Sequence, residues 1–153
     1  MPESKLDGFR DRCGVVGGYG CTAAAHRVYL ALHALQHRGQ DSCGIVSYNQ
    51  GQFHREVGLG LVSDVFSASN LKKLPGNMAI GHVRYTTAGN TDLTDAQPIA
   101  AKTGNGQMAI AHNGNLINAH SMREYLEQEG AIFHAQSDTE AICHLFAKSR
   151  HHN

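Results

Sequence analysis

Residues 9–20 read FRDRCGVVGGYG. Charge stops at Arg12, a cysteine follows, and then come two valines among glycines. A short apolar run punctuated by glycine is the pattern of a buried strand that other backbone approaches closely. The twelve residues before Cys13 are mixed in charge and have no hydrophobic period, so they read as an extension. The core therefore starts at Cys13, and the rest of the chain is read outward from there.

After this strand, Thr22 is placed to cap a helix running to about His37. Ala25, Val28, Tyr29, Leu32 and Leu35 would form its apolar face, with Gly39 as the terminating glycine. CGIVSYN (43–49) and QFHREV (52–57) read as a hairpin turning at Gln50-Gly51. Leu61 to Phe66 allows one or two helical turns. MAIGHVRY (78–85) and QMAIAHN (107–113) read as strands. The polar stretch 86–106 between them is long enough to suggest a functional loop. A second helix is predicted from about Asn118 to Glu129, with Met122, Tyr125 and Leu126 inward and Gly130 as the stop. SDTE (137–140) has the form of a capping box that opens a third helix, whose stripe is Ala141, Ile142, Leu145 and Phe146. Strands and helices in blocks predict an α+β fold rather than a doubly wound sheet.

A length of 153 residues suits one domain. Lys+Arg and Asp+Glu balance at 13 each, so charge predicts neither nucleic-acid nor membrane-surface binding. The N-terminus has no apolar signal region, and a cytoplasmic location is the default expectation, or a plastid one in a plant, although no transit peptide is seen. The four cysteines, Cys13, Cys21, Cys43 and Cys143, form no C-x-x-C pair and fit no zinc framework. The eleven histidines contain no H-E-x-x-H, and His151-His152-Asn153 has no evident role. A metal-binding module remains one alternative. GLGLVS (58–63) ends in serine where a dinucleotide fingerprint needs glycine, and QDSCG (40–44) lacks the first glycine of a nucleophile elbow.

Four stretches place polar groups where strands or helices end: RCGVVG (12–17), GHVRYTTAG (81–89), AHNGN (111–115) and SDTE (137–140). Singly, each has a plain explanation. Cys13 could be a small core hydrophobe, Arg84 a surface ion pair, HNG a tight turn, and Asp138 a favourable charge at a helix start.

Together with LQHRGQDSCGIV, GLVSDVF, GNMAIGHVRYTTAG and AHNGNLINA, they resemble the class II glutamine amidotransferase domain as it occurs in the amidophosphoribosyltransferases. LQHRGQ and GLVSDVF favour this enzyme over glucosamine-6-phosphate synthase and asparagine synthetase, which share the domain. The resemblance runs from Cys13 to about Ser149. It implies an N-terminal-nucleophile hydrolase fold, a four-layer αββα sandwich, here truncated before its C-terminal strands. Residues 1–12 would be a propeptide, 13–153 an incomplete amidotransferase domain, and a phosphoribosyltransferase domain would be absent.

The resemblance also assigns roles. Cys13 would be the nucleophile, exposed as the first residue of the mature chain. Its α-amine, with an ordinary pKa of about 7.7–8.0, could then serve as the base for its own thiol. Asn113 and Gly114 would form the oxyanion hole, where losing a donor typically costs about 2.7–4 kcal/mol. Arg84 would clasp the α-carboxylate of glutamine as a forked donor. Thr87 would assist it, and Asp138 would hold the α-ammonium. Tyr85 would couple this site to the acceptor site, and Arg38 would be structural, beside the nucleophile. The implied partners are free glutamine and, through the absent domain, phosphoribosyl pyrophosphate, in a homo-oligomer (dimer or tetramer). No nucleic acid or membrane is implied, and no cofactor or metal in this chain. Full-length relatives use magnesium, and some members with a propeptide carry an iron–sulfur cluster. Two other readings stay open: a non-catalytic remnant that binds glutamine or regulates, and the glutaminase domain of a sister class II amidotransferase.

Overall fold

The structure, a computed structural model, describes residues 13–85, 92–104 and 106–149. The 1–12 extension, Thr87 and the terminal His151-His152-Asn153 lie outside the described residues.

Among the described residues, six strands and five short or medium helices build four layers. The strands are β1 (Gly14–Tyr19), β2 (Ser42–Asn49), β3 (Gln52–Leu59), β4 (Met78–Arg84), β5 (Ile99–Thr103) and β6 (Gly106–Ile110). The helices are α1 (Ala24–Ala34), α2 (Val62–Val65), α3 (Ala68–Lys72), α4 (Ala119–Gln128) and α5 (Asp138–Lys148). The first four strands form one sheet in the order β1-β4-β2-β3, antiparallel throughout, and β5 pairs with β6 in a second.

Alternation in the strands decides what each face meets. Gly81 and Val83 of β4 lie opposite Ile45 and Cys43 of β2. This face packs on α1, where a Cβ at Gly81 would strike Val28 and Leu32. Val28, Leu32, Cys43, Ile45, Val62 and Val83 are buried together there. Burying side chains of this size stabilises by about 1.5–3 kcal/mol each. The opposite face carries Ser42, Gly44 and His82, and the segment leading into β5 rests on it. Gly44 is required by that approach, since a Cβ there would sit 2.3 Å from the Gln97 carbonyl oxygen. Arg55 of β3 ties the layers by donating to the carbonyls of Pro98 (2.8 Å) and Ala96 (2.9 Å). Helices α4 and α5 pack on each other, and α5 packs on β5.

The hairpin forms as its sequence predicts, with positive φ at both turn residues, Gln50 (48°) and Gly51 (83°). Other expectations need correction. β1 is an edge strand with alternating exposure, not a buried one, and Tyr19 is 86% exposed. Thr22 does not cap α1. The cap is Ala23 in the left-handed region, and the helix stops at Ala34, followed by a 3-10 turn over Gln36–Arg38. Gly39 is extended rather than left-handed. Its lack of a side chain is used differently, because a Cβ would lie 2.7 Å from the Arg84 carbonyl group.

The stretch 86–106 is not one loop, since it contains β5 and a 3-10 turn at Leu93–Asp95. Ser137 does cap α5, accepting from Thr139 N–H at 3.2 Å. Glu140 does not complete a capping box, however; its carboxylate takes the His134 and Ala135 N–H groups instead. Residues 131–136 form no strand or helix of their own, so these donors need an acceptor. Tyr125, Leu145 and Phe146 are exposed rather than inward, and Cys143 is buried in their place.

Candidate active site

The first and fourth strands, the QHRGQ turn, the loop after β6 and the start of α5 meet at one end of the layers. Cys13 immediately precedes β1 and is half-buried. Its carbonyl accepts from Arg38 Nε at 2.8 Å and from Asn113 Nδ2 at 3.1 Å. Its Sγ lies 4.0 Å from the Tyr85 carbonyl oxygen. Arg38 reaches this point because Gly39 lets the turn lie against the Arg84 backbone, where Asp41 N–H donates to the Arg84 carbonyl at 3.1 Å. Gly114 follows Asn113 with φ 154°, and a Cβ there would crowd the His112 ring at 3.0 Å.

Asp138 is at the first turn of α5. Its Oδ2 accepts from Leu116 N–H at 2.7 Å, and its Oδ1 lies 3.4 Å from His112 Nδ1. A carboxylate has about four lone-pair sites, so these contacts leave capacity for a ligand ammonium. The Gln97 side chain steadies the same loop by accepting from His112 N–H at 2.7 Å.

Arg84 ends β4, mostly buried. Its Nη1 lies 3.2 Å from Asp95 Oδ2, an ion pair that falls short of hydrogen-bond geometry. Asp95 Oδ1 accepts from the N–H groups of Gln136 (2.9 Å) and Ser137 (3.1 Å). The contacts thus close a circuit. It runs from Cys13 to Asn113 and its loop, on to Asp138 and Ser137, and then through Asp95 to Arg84 and Tyr85, whose carbonyl faces the Cys13 sulfur. Sequence reasoning found every member except Asp95, His112 and Gln97. Thr87 lies outside the described residues.

Two further thiols, Cys43 and Cys143, are chemically quiet. Burial pushes the Cys43 thiol up to about 12, with the Asp64 charge adding to the shift. Burial, then the Glu140 charge, pushes Cys143 up to about 11. Thiolate, the reactive form, is therefore scarce at both. Among the described residues, no three His, Cys, Asp or Glu side chains are placed to hold a metal ion. Among them too, no helix is long and apolar enough to cross a membrane.

Directly behind Arg84 on β4 lies His82, 1% exposed, whose ring nitrogens make no hydrogen bond of good geometry although the His112 backbone lies close enough to interact. Burial holds its pKa down at about 4. The nearby His112 backbone opposes this, while the charges of Arg84 and His112 add to it. The unfolded chain takes up this proton near pH 6.5, whereas the folded one stays neutral to about 4. Between those values the unfolded state binds more protons. Stability is then full above about pH 6.5, falls as pH drops toward 4, and is reduced by about 3 kcal/mol once both states are protonated. Replacing His82 by Phe removes the titrating ring and should flatten that part of the stability curve. Urea melts of both proteins between pH 4 and 7 check it, and equal slopes would contradict it.

The family model described as "Glutamine amidotransferase domain" matches residues 69–152, more than half of the chain. The chloroplastic amidophosphoribosyltransferase of Vigna aconitifolia is 53% identical over 142 residues, which are 93% of this chain and 29% of that protein. A solved structure titled as the allosteric regulatory enzyme of purine biosynthesis superposes with a TM-score of 0.86 at 43% identity, covering 91% of this chain and 30% of that one. The glutamine phosphoribosylpyrophosphate amidotransferase of B. subtilis, solved with ADP and GMP, gives a TM-score of 0.84 at 41% identity, with the same coverage. The chain spans less than a third of the length of each. The four-layer arrangement is accordingly the N-terminal-nucleophile hydrolase fold of these enzymes' glutamine domains, and the chain belongs to the glutamine amidotransferase domain family.

Proposed function

We propose that this chain is the glutamine-hydrolysing domain of an amidophosphoribosyltransferase. The closed circuit of contacts around Cys13 supports this most directly. It links the Cys13 backbone, the Asn113 amide, the Asp138 carboxylate and the Arg84 guanidinium, from segments far apart in the sequence, with Asp95 joining the last two segments. A thiol and an amide donor suit acyl transfer from a carboxamide. A cation and an anion at fixed separation suit the two charged ends of a free amino acid.

In this reading, Arg84, with Thr87, holds the α-carboxylate of glutamine, and Asp138 holds its α-ammonium. Cys13 Sγ attacks the side-chain carbonyl carbon. The developing oxyanion meets the Asn113 amide and the Gly114 N–H. The C–N bond breaks, ammonia leaves with a proton returned by the Cys13 amine, and a γ-glutamyl thioester remains. Water then releases glutamate and the thiol. For the amine to act, the 1–12 segment must have been removed. Ammonia passes to phosphoribosyl pyrophosphate, displaces pyrophosphate and gives 5-phosphoribosylamine, the opening of purine nucleotide synthesis. Tyr85, beside both Arg84 and the Cys13 sulfur, would couple the two steps. Among the described residues no three His, Cys, Asp or Glu side chains are placed to hold a metal ion, and the glutamine half of the reaction as written needs none.

The expected result is that the protein releases glutamate from free glutamine but not from a peptide with glutamine between blocked ends. Failure to consume glutamine overturns the reading, and equal hydrolysis of the blocked peptide overturns the roles of Arg84 and Asp138.

A further inference from the structure

The least exposed carboxylate near the site is one that the mechanism leaves unused. Asp95 is 6% exposed and sits in the 3-10 turn before β5. It does two things at once. Oδ1 receives the N–H groups of Gln136 and Ser137, the residues just before Asp138. Oδ2 faces Arg84 Nη1 at 3.2 Å. One rigid group of a few atoms therefore joins the Arg84 side chain to the backbone that leads into Asp138, the two residues that would grip opposite ends of the substrate.

We propose that Asp95 is a positioning residue for glutamine binding, which sets the distance and direction between Arg84 and the start of α5. The inference rests on the reading of Arg84 and Asp138 given above. The physical case has two parts. A guanidinium on a long side chain has many rotamers, and a buried counter-charge selects one before substrate arrives. The Arg84–Asp95 contact also lacks hydrogen-bond geometry at Nη1. The contact therefore orients the guanidinium by charge rather than by a directed hydrogen bond at that nitrogen. The two N–H bonds on Oδ1 hold the Asp138 segment at a matching position. Aspartate suits this where asparagine does not, because only a carboxylate offers acceptors on both oxygens together with the charge.

The test compares two substrates in the full natural protein. One is glutamine. The other is glutaminamide, in which a neutral amide replaces the α-carboxylate and which gains little from an oriented Arg84. Asp95→Asn keeps the shape and the acceptor for the two N–H groups but removes the charge. The expected result is a rise in KM for glutamine of about tenfold to hundredfold, the scale of a charge-assisted contact. kcat should change little, and kcat/KM for glutaminamide should be unaltered. Asp95→Glu, which keeps the charge and displaces it by one methylene, should move the glutamine KM alone by a smaller factor. It also serves where the Asn variant does not fold. An equal loss on both substrates would mean that Asp95 only supports the fold. An unchanged glutamine KM in both variants would likewise overturn the proposal while leaving the glutaminase reading intact. A wild-type protein that turns over neither substrate would instead overturn that reading.

Discussion

Cys13→Ala is expected to lower glutamine turnover by at least about 10⁴-fold, the usual cost of removing a nucleophile, with almost no change in the melting temperature. Both halves of that expectation come from the same contacts. The Cys13 side chain makes one weak approach, its sulfur 4.0 Å from the Tyr85 carbonyl. The groups that knit the site together, Arg38 and Asn113, bond to the Cys13 carbonyl, which alanine retains. The variant should therefore fold, keep the site's shape and still bind glutamine. Cys43 and Cys143 do not rescue the substitution, because both are buried with thiols raised to about 12 and about 11, and Cys21 lies beyond the far end of β1. Glutamate release measured beside a thermal melt checks both parts. Substantial activity in a folded Cys13→Ala protein would remove Cys13 from the mechanism.

How much of this was legible in the sequence depended on the range of the interaction. The Gln50-Gly51 hairpin was readable because the demand for positive φ is local. The ends of α1 were not, since Ala23 adopts a conformation that its own side chain does not favour, and Gly39 is needed for its nearness to the Arg84 backbone. Strand β5 hid inside what read as a polar loop because IAAKT is short and its partner, β6, declares itself only by pairing. In the SDTE segment the cap at Ser137 was correct, but Glu140 turned toward the donors of His134 and Ala135, a choice set by where the preceding loop passes.

The site divides the same way. Cys13, Arg84, Asn113 and Asp138 stand out by residue type at element ends, and the motifs around them carried the resemblance. Asp95 looked like any loop aspartate, because its partners are β4 and the segment before α5, and nothing local announces either. His82 read as an ordinary strand residue. Its depressed pKa, caused chiefly by burial, exists only once the second layer covers β4.

A second large effect is expected from the bond between Arg12 and Cys13. Protein in which that peptide bond remains intact should show no measurable glutamine turnover, whereas protein whose mass corresponds to a chain starting at Cys13 should be active. The reason lies at one nitrogen. Attack by the thiol needs a base within reach, and the proposed base is the α-amine of the same residue. Joined to Arg12, that nitrogen is an amide with its lone pair delocalised, and it neither accepts the thiol proton nor delivers one to departing ammonia. The described contacts make this geometry specific. Arg38 and Asn113 pin the Cys13 carbonyl from two sides, so the nitrogen and sulfur of that residue are held at a fixed place relative to the oxyanion donors. The His112 ring nearby does not supply a base in this arrangement, because its Nδ1 faces Asp138 at 3.4 Å. Once the amine is uncovered, turnover should fall on the acid side of its ordinary pKa of about 7.7–8.0, as protonation removes the base. Intact-mass measurement paired with a pH–rate profile decides it. Hydrolysis of glutamine by protein that still carries residues 1–12 would show that the thiol is activated by another group.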